Sequence, residues 1–120
     1  MSLIIKRVQF GVREGFFYQQ ANGNGENAGL FEFDASDRLS LKIQQVDSGT
    51  IKLQRITTQV FRDPSAWMHI HIAVNTGLTT DACCKIHING TEITAFGTKT
   101  NIDSARDHGF LNSSKEVVLM

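Results

Sequence analysis

Much is scarce in this sequence, and each scarcity excludes a class. A single proline and ten glycines without a triplet period exclude collagen-like and proline-rich chains. There are only two cysteines, Cys83 and Cys84, and they are adjacent. Neighbouring cysteines rarely bridge, because the ring strains the peptide between them. They read as two reduced thiols, one facing inward and one outward as strand alternation demands. That suits an intracellular or virion-like product better than a disulfide-stapled secreted one. Charge of one sign is also missing: 12 Lys+Arg balance 12 Asp+Glu, with a pI near 6.9. The balance argues against a general nucleic-acid binder and against polybasic attachment to a membrane. No apolar run approaches the ~18 residues of a spanning helix. Met1 to Phe10 has no continuous apolar segment, so no signal peptide is visible. Met1-Ser2-Leu3 has the look of an added leader and carries no weight in the reading.

What is present is the composition of one globular domain spanning residues 1–120. Hydrophobic residues make up 41% and charged residues 20%, too apolar for disorder. The dominant period is two. Trp67 to Asn75 places Ile70, Ile72 and Val74 on one face and His69, His71 and Ala73 on the other. Lys85 to Asn89 repeats the pattern with Ile86 and Ile88, and Asn89-Gly90 is a strong hairpin signal. Glu92 to Phe96 is expected to return as the partner strand. Phe31-Glu32-Phe33 and Leu39-Ser40-Leu41 flank a polar turn, Asp34 to Asp37. Further strands are expected within Ile51 to Phe61, Ile4 to Phe10 and Val117 to Met120. Asn22 to Gly29 reads as a loop. No long amphipathic helix and no internal repeat occur. Short strands about 8–12 residues apart point to an all-β sandwich or barrel. Phe31, Phe33, Leu39, Leu41, Ile70, Ile72, Val74, Ile86 and Ile88 are the core candidates.

Phe61-Arg62-Asp63-Pro64-Ser65-Ala66-Trp67-Met68-His69-Ile70, Ala73-Val74-Asn75-Thr76 and Lys85 to Gly97 together resemble a concanavalin A-like lectin domain. More narrowly, they resemble the laminin-G-like modules of marine phage structural and tail-fibre proteins. In that family the pattern reads FRDPSAWYH, then a buried strand, a variable loop and a YVNG hairpin. Phe33 to Leu39 resembles the family's preceding strand-turn-strand, and Ile5-Lys6-Arg7 the end of its early WVKR strand. The resemblance implies an antiparallel jelly-roll sandwich of two sheets. It is dense from Thr57 to Gly97 and thin elsewhere. Family modules are longer, so this chain reads as a truncated module with open sheet edges, and a homo-oligomer is expected. A second departure is His71, where the family more often has an aliphatic residue.

Several motifs bear on chemistry. With Asn75 opposite Cys83, an antiparallel pairing sets His71 opposite His87, with His69 two residues along the same face. Three converging imidazoles would suit zinc; the alternative, preferred here, is a polar sheet face without metal. Glu32-Phe33-Asp34 places two acids on one strand face, as in the E-x-D-x-x-E of laminarinase-like members of the fold. A retaining glycosidase needs a close carboxyl pair, and here Ser36 and Asp37 occupy the positions four and five past Glu32. The motif is incomplete, and Asp37 reads better as a turn residue. Asp34, Asp37, Asp63, Asp81 and Asp103 fall in turns; the resemblance alone implies calcium at a sandwich rim. Trp67 reads as core, although an exposed Trp67 would offer a sugar-stacking platform.

The remaining signals carry no chemistry. Gly23, Gly25 and Gly29 lack the Lys-Ser/Thr of a phosphate loop, and no G-x-S-x-G elbow occurs. Asn89-Gly90-Thr91 and Asn112-Ser113-Ser114 are formal glycosylation sequons.

The expectation is therefore a non-enzymatic recognition module that binds glycan or a cell surface, with Asn101, Asp103, Arg106 and Trp67 as ligand-binding candidates. The resemblance places it on a virion, or on a cytoplasmic or extracellular bacterial protein. The alternatives are a purely structural, oligomerising module of a fibre or capsid, and a weak glycoside hydrolase.

Overall fold

Alternating side chains build two layers. The computed structural model describes residues 1–19, 27–45, 49–103 and 117–119, and these form ten strands and a single 3-10 turn, Asp81–Cys83. The strands are β1 (Ser2–Lys6), β2 (Glu14–Gln19), β3 (Asn27–Phe33), β4 (Arg38–Gln45) and β5 (Ile51–Val60). They continue as β6 (Trp67–Val74), β7 (Cys84–Ile88), β8 (Thr91–Glu92), β9 (Phe96–Thr100) and β10 (Val117–Leu119). A four-stranded sheet has the order β1-β6-β7-β8, and a six-stranded sheet the order β10-β2-β3-β4-β5-β9. Every pairing is antiparallel. The protein is an all-β sandwich.

The core lies between the inner faces. Ile70, Ile72, Ile86 and Ile88 from the small sheet meet Phe31, Phe33, Leu39 and Leu41 from the large one, all buried. Val74 is only half-buried at the end of β6. Phe16 and Phe17 are both buried although adjacent. A shift in register between Gly15 and Phe17 permits this, because a bulge resets which way successive side chains point. Phe33 then packs against Phe16 in a tilted pair and against Phe61 edge-on, at centroid distances of 5.8 and 5.7 Å.

The N-terminus itself is paired: the Met1 amino group donates to the Ile72 carbonyl, and Ser2 opposes His71. Three expectations change. β3 begins at Asn27, inside the segment expected to be a loop; residues 20–26 lie outside the described residues. The thiols do not alternate, since Cys83 sits in the 3-10 turn and both are buried. The strand after the hairpin stops at Glu92. Asn89 and Gly90 do take the positive φ of their turn, 50° and 81°. The chain then crosses between sheets, Ile93 and Phe96 packing on the core, and Phe96 opens β9 beside β5.

Two buried arginines tie the layers together. Arg7, just past β1, donates through Nε to Glu14 (2.6 Å) and through Nη1 to the Phe61 carbonyl (2.8 Å). Its Nη2 reaches the Gln9 carbonyl (3.1 Å) and Asp37 (3.0 Å). The guanidinium lies 4.4 Å from the centre of the Phe33 ring. Asp37 also accepts from the Gly11 N–H (2.8 Å) and from Arg62 Nε (2.6 Å). It occupies the left-handed region at φ 61°, which a short polar side chain tolerates. Gly11, at φ 71°, brings its amide to that carboxylate. Arg55 spans the β9 flank. Its Nη1 donates to the carbonyls of Gln54 (2.9 Å) and Thr100 (2.8 Å), and its Nη2 to Asn101 Oδ1 (2.6 Å) and Cys83 Sγ (3.7 Å).

Two outcomes are expected. Ile72→Asp places a carboxylate in the dry layer and abolishes folding, giving a coil-like far-ultraviolet circular dichroism spectrum. The second concerns acid. Arg62, then the Gly11 amide and Arg7, hold the Asp37 carboxyl below its ordinary 3.8. Because the folded value is depressed, the stability it contributes is complete above 3.8 and is lost as pH falls through the lowered value. The urea midpoint therefore drops on acidification below about pH 4, and Asp37→Asn makes that drop shallower.

Candidate functional site

The outward face of the four-stranded sheet gathers the chemistry. Residues out of phase with the buried Met68, Ile70 and Ile72 of β6 are Trp67, His69, His71 and Ala73, all exposed. Register then builds rows across the strands, with opposite Cβ atoms ~5 Å apart. Lys6 opposes Trp67, and Ile4 opposes His69. Ser2, His71, His87 and Glu92 form one row across four strands, and Ala73 opposes Lys85. Trp67 is 64% exposed and Ile4 67%. The Lys6 ammonium sits 5.7 Å from the centre of the Trp67 ring.

His69 is fixed from both sides. Its ring Nε2 is hydrogen-bonded to the Ser2 hydroxyl, and its backbone N–H donates to Asn89 Oδ1 (2.8 Å) at the hairpin turn. The Asn89 N–H returns a bond to the His69 carbonyl (2.8 Å). His71 and His87 do face each other as their spacing predicts, with ring centres 5.9 Å apart and planes inclined by 58°. His87 Nδ1 is buried and has no partner among the described residues. The three imidazoles do not converge. His69 lies one row away with its ring turned to Ser2, and no three His, Cys, Asp or Glu side chains among the described residues are grouped to hold a metal.

Other candidates are dispersed. Trp67, expected in the core, is on the surface. Asn101 is held internally between Arg55 (2.6 Å) and Asp81 (2.9 Å). Asp103 is exposed, 3.8 Å from Lys52. Arg106 and the sequon at 112–114 lie outside the described residues. Asn101 touches Cys83, whose carbonyl accepts from Asn75. Eight residues of extended chain, roughly 26 Å, separate Asn75 from Trp67, so Asn101 lies far from the tryptophan.

The carboxylates are engaged one by one. Glu32 pairs with Arg13 (3.2 Å) and Asp34 with Arg38 (2.9 Å), so neither member of the Glu32/Asp34 pair is free. Burial pushes the Asp34 carboxyl up, but the Arg38 and Ser36 amides and the Arg38 side chain outweigh it, holding the group below its ordinary value. Asp81 is held low by Asn101 and Lys99, and Asp63 by the Ser65 hydroxyl and amide. Each aspartate expected at a calcium rim thus has a protein partner of its own, local for Asp34 and Asp63 and on a distant segment for Asp37, Asp81 and Asp103. Burial pushes the Cys84 thiol up to about 12, which removes it as a nucleophile near neutral pH.

Trp67 is the only tryptophan, so intrinsic fluorescence reports this face alone. A red-shifted emission is expected. Iodide should quench it more strongly than caesium, because a cation sits beside the ring, and Lys6→Gln should narrow that difference. No family model, curated protein or solved structure matches the chain.

Proposed function

We propose that the chain is a non-catalytic, lectin-like recognition module that binds carbohydrate through the outward face of its four-stranded sheet. One observation carries this: the single tryptophan, the largest apolar side chain available, is left mostly in water on a flat sheet surface. Burying such a ring is worth ~1.5–3 kcal/mol, so its exposure is uneconomical unless a ligand covers it. The apolar C–H face of a pyranose fits an indole plane. Around it stand the donors and acceptors that hydroxyl groups need: Lys6, the Ser2–His69 pair, and His71.

The remaining chemistry supports recognition over turnover. Glu32 and Asp34 are consumed in ion pairs, and the Cys84 thiol is inert. The two-sheet sandwich agrees with the concanavalin A-like and laminin-G-like resemblance, which suggests a phage structural protein or an environmental bacterial one. A second reading, a purely structural module that self-associates, draws on the apolar Ile4 and Val8 at 67% and 79% exposure beside the open edge of β1.

A glycan array with wild type and Trp67→Ala separates them. Recognition predicts a defined set of bound glycans, weakened at least ~10-fold in Trp67→Ala, with unchanged circular dichroism. No glycan binding, together with a defined oligomer by light scattering, would establish the structural reading instead. Turnover of a β-glucan panel would overturn both.

A further inference from the structure

We infer, resting on that reading, that the saccharide is acidic: a sugar carrying a carboxylate, whose ring covers Trp67 while its charge meets Lys6. The face holds two ammonium groups and one carboxylate. Lys85 and Glu92 lie 3.9 Å apart and offset each other. Lys6 has no such partner among the described residues; the nearby Asp63 spends its Oδ1 on the Ser65 amide (2.9 Å) and hydroxyl (2.7 Å). The Lys6 ammonium, with the Asp63 carboxylate in its field but not in contact, is thus the cation that stands beside the tryptophan without a direct ion pair among the described residues.

The geometry suits a bidentate sugar. At 5.7 Å from the ring centre, the ammonium stands over the indole at the outer limit of cation–π contact. Trp67 is still 64% exposed, so a pyranose can cover the ring surface left in water and bring a carboxylate to that ammonium. The lysine stem, running along β1 opposite Trp67, fixes where the charge sits. A neutral sugar would have to share the indole with a cation it cannot neutralise. An acidic one gains an ion pair from the same arrangement.

Affinity electrophoresis through gels containing polygalacturonate, alginate, fully methyl-esterified polygalacturonate or a neutral β-glucan tests this, on the full chain. The ester keeps the sugar and removes the charge. Polygalacturonate or alginate is expected to retard the protein about fivefold more strongly than the ester or the glucan, the size of an exposed ion pair. Lys6→Gln should abolish that preference, and Lys85→Gln should retain it. Equal retardation by charged and uncharged polymers overturns the acidic assignment and leaves carbohydrate recognition standing. A preference that survives in Lys6→Gln also overturns it. No retardation by any polymer overturns the acidic assignment and the recognition reading together.

Discussion

Everything in this sandwich leans on one buried ion pair. Arg7 and Asp37 are withdrawn from water, and a lone charge in that place would be costly. The cost is met by completeness. Arg7 makes four hydrogen bonds and lies on Phe33, and Asp37 is reached by two arginines and one backbone amide. The partners come from the end of β1, the β1–β2 connection, β2, the β3–β4 turn and the segment after β5. Five pieces of chain are thereby set with respect to one another, and the two sheets are closed at that end. Arg55 does the same along the β9 flank, joining β5 and Thr100 to the turn before β7. Hydrophobic burial drives the layers together, but it is non-directional. The guanidinium forks, with fixed donor directions, define how the layers sit.

The same geometry positions the face proposed for recognition. β6 is central to the small sheet, flanked by β1 and β7, so its inward phase is sealed and its outward phase is shared with both neighbours. The hairpin at Asn89-Gly90 is bound to His69 at both backbone and side chain. The exposed side chains thus stand on a backbone bonded on both sides, and a ligand covering them would meet a preformed surface, with little ordering cost.

Much of this is legible in the sequence because period-two alternation is a local property. Ile70, Ile72, Ile86 and Ile88 turn inward together, and the spacing of Asn75 from Cys83 sets His71 opposite His87. At two places phase and residue type point in opposite directions. Trp67 is in phase with His69 and His71 and is exposed as that phase requires, whereas its size alone argues for the core. Arg55 is in phase with Leu53 and Thr57 and is buried with them, whereas its charge alone argues for solvent. In both places phase outweighs residue type. What lay beyond reach was non-local: the crossover after Glu92, the 3-10 turn that buries both cysteines, and the gathering of Arg7 with Asp37 across 30 residues. No spacing rule encodes those meetings, since they depend on how whole sheets stack.

The pairing of β1 with β6 has a bearing on how the chain is made. Ser2 finds its neighbour only at His71. A ribosome adding ~5–20 residues per second would leave Leu3-Ile4-Ile5 without its strand for on the order of 3–14 s. During that interval an apolar ribbon with unsatisfied amides is available to any passing chain. A faster ribosome shortens that exposure, because the delay is set by the 69 residues between Ser2 and His71.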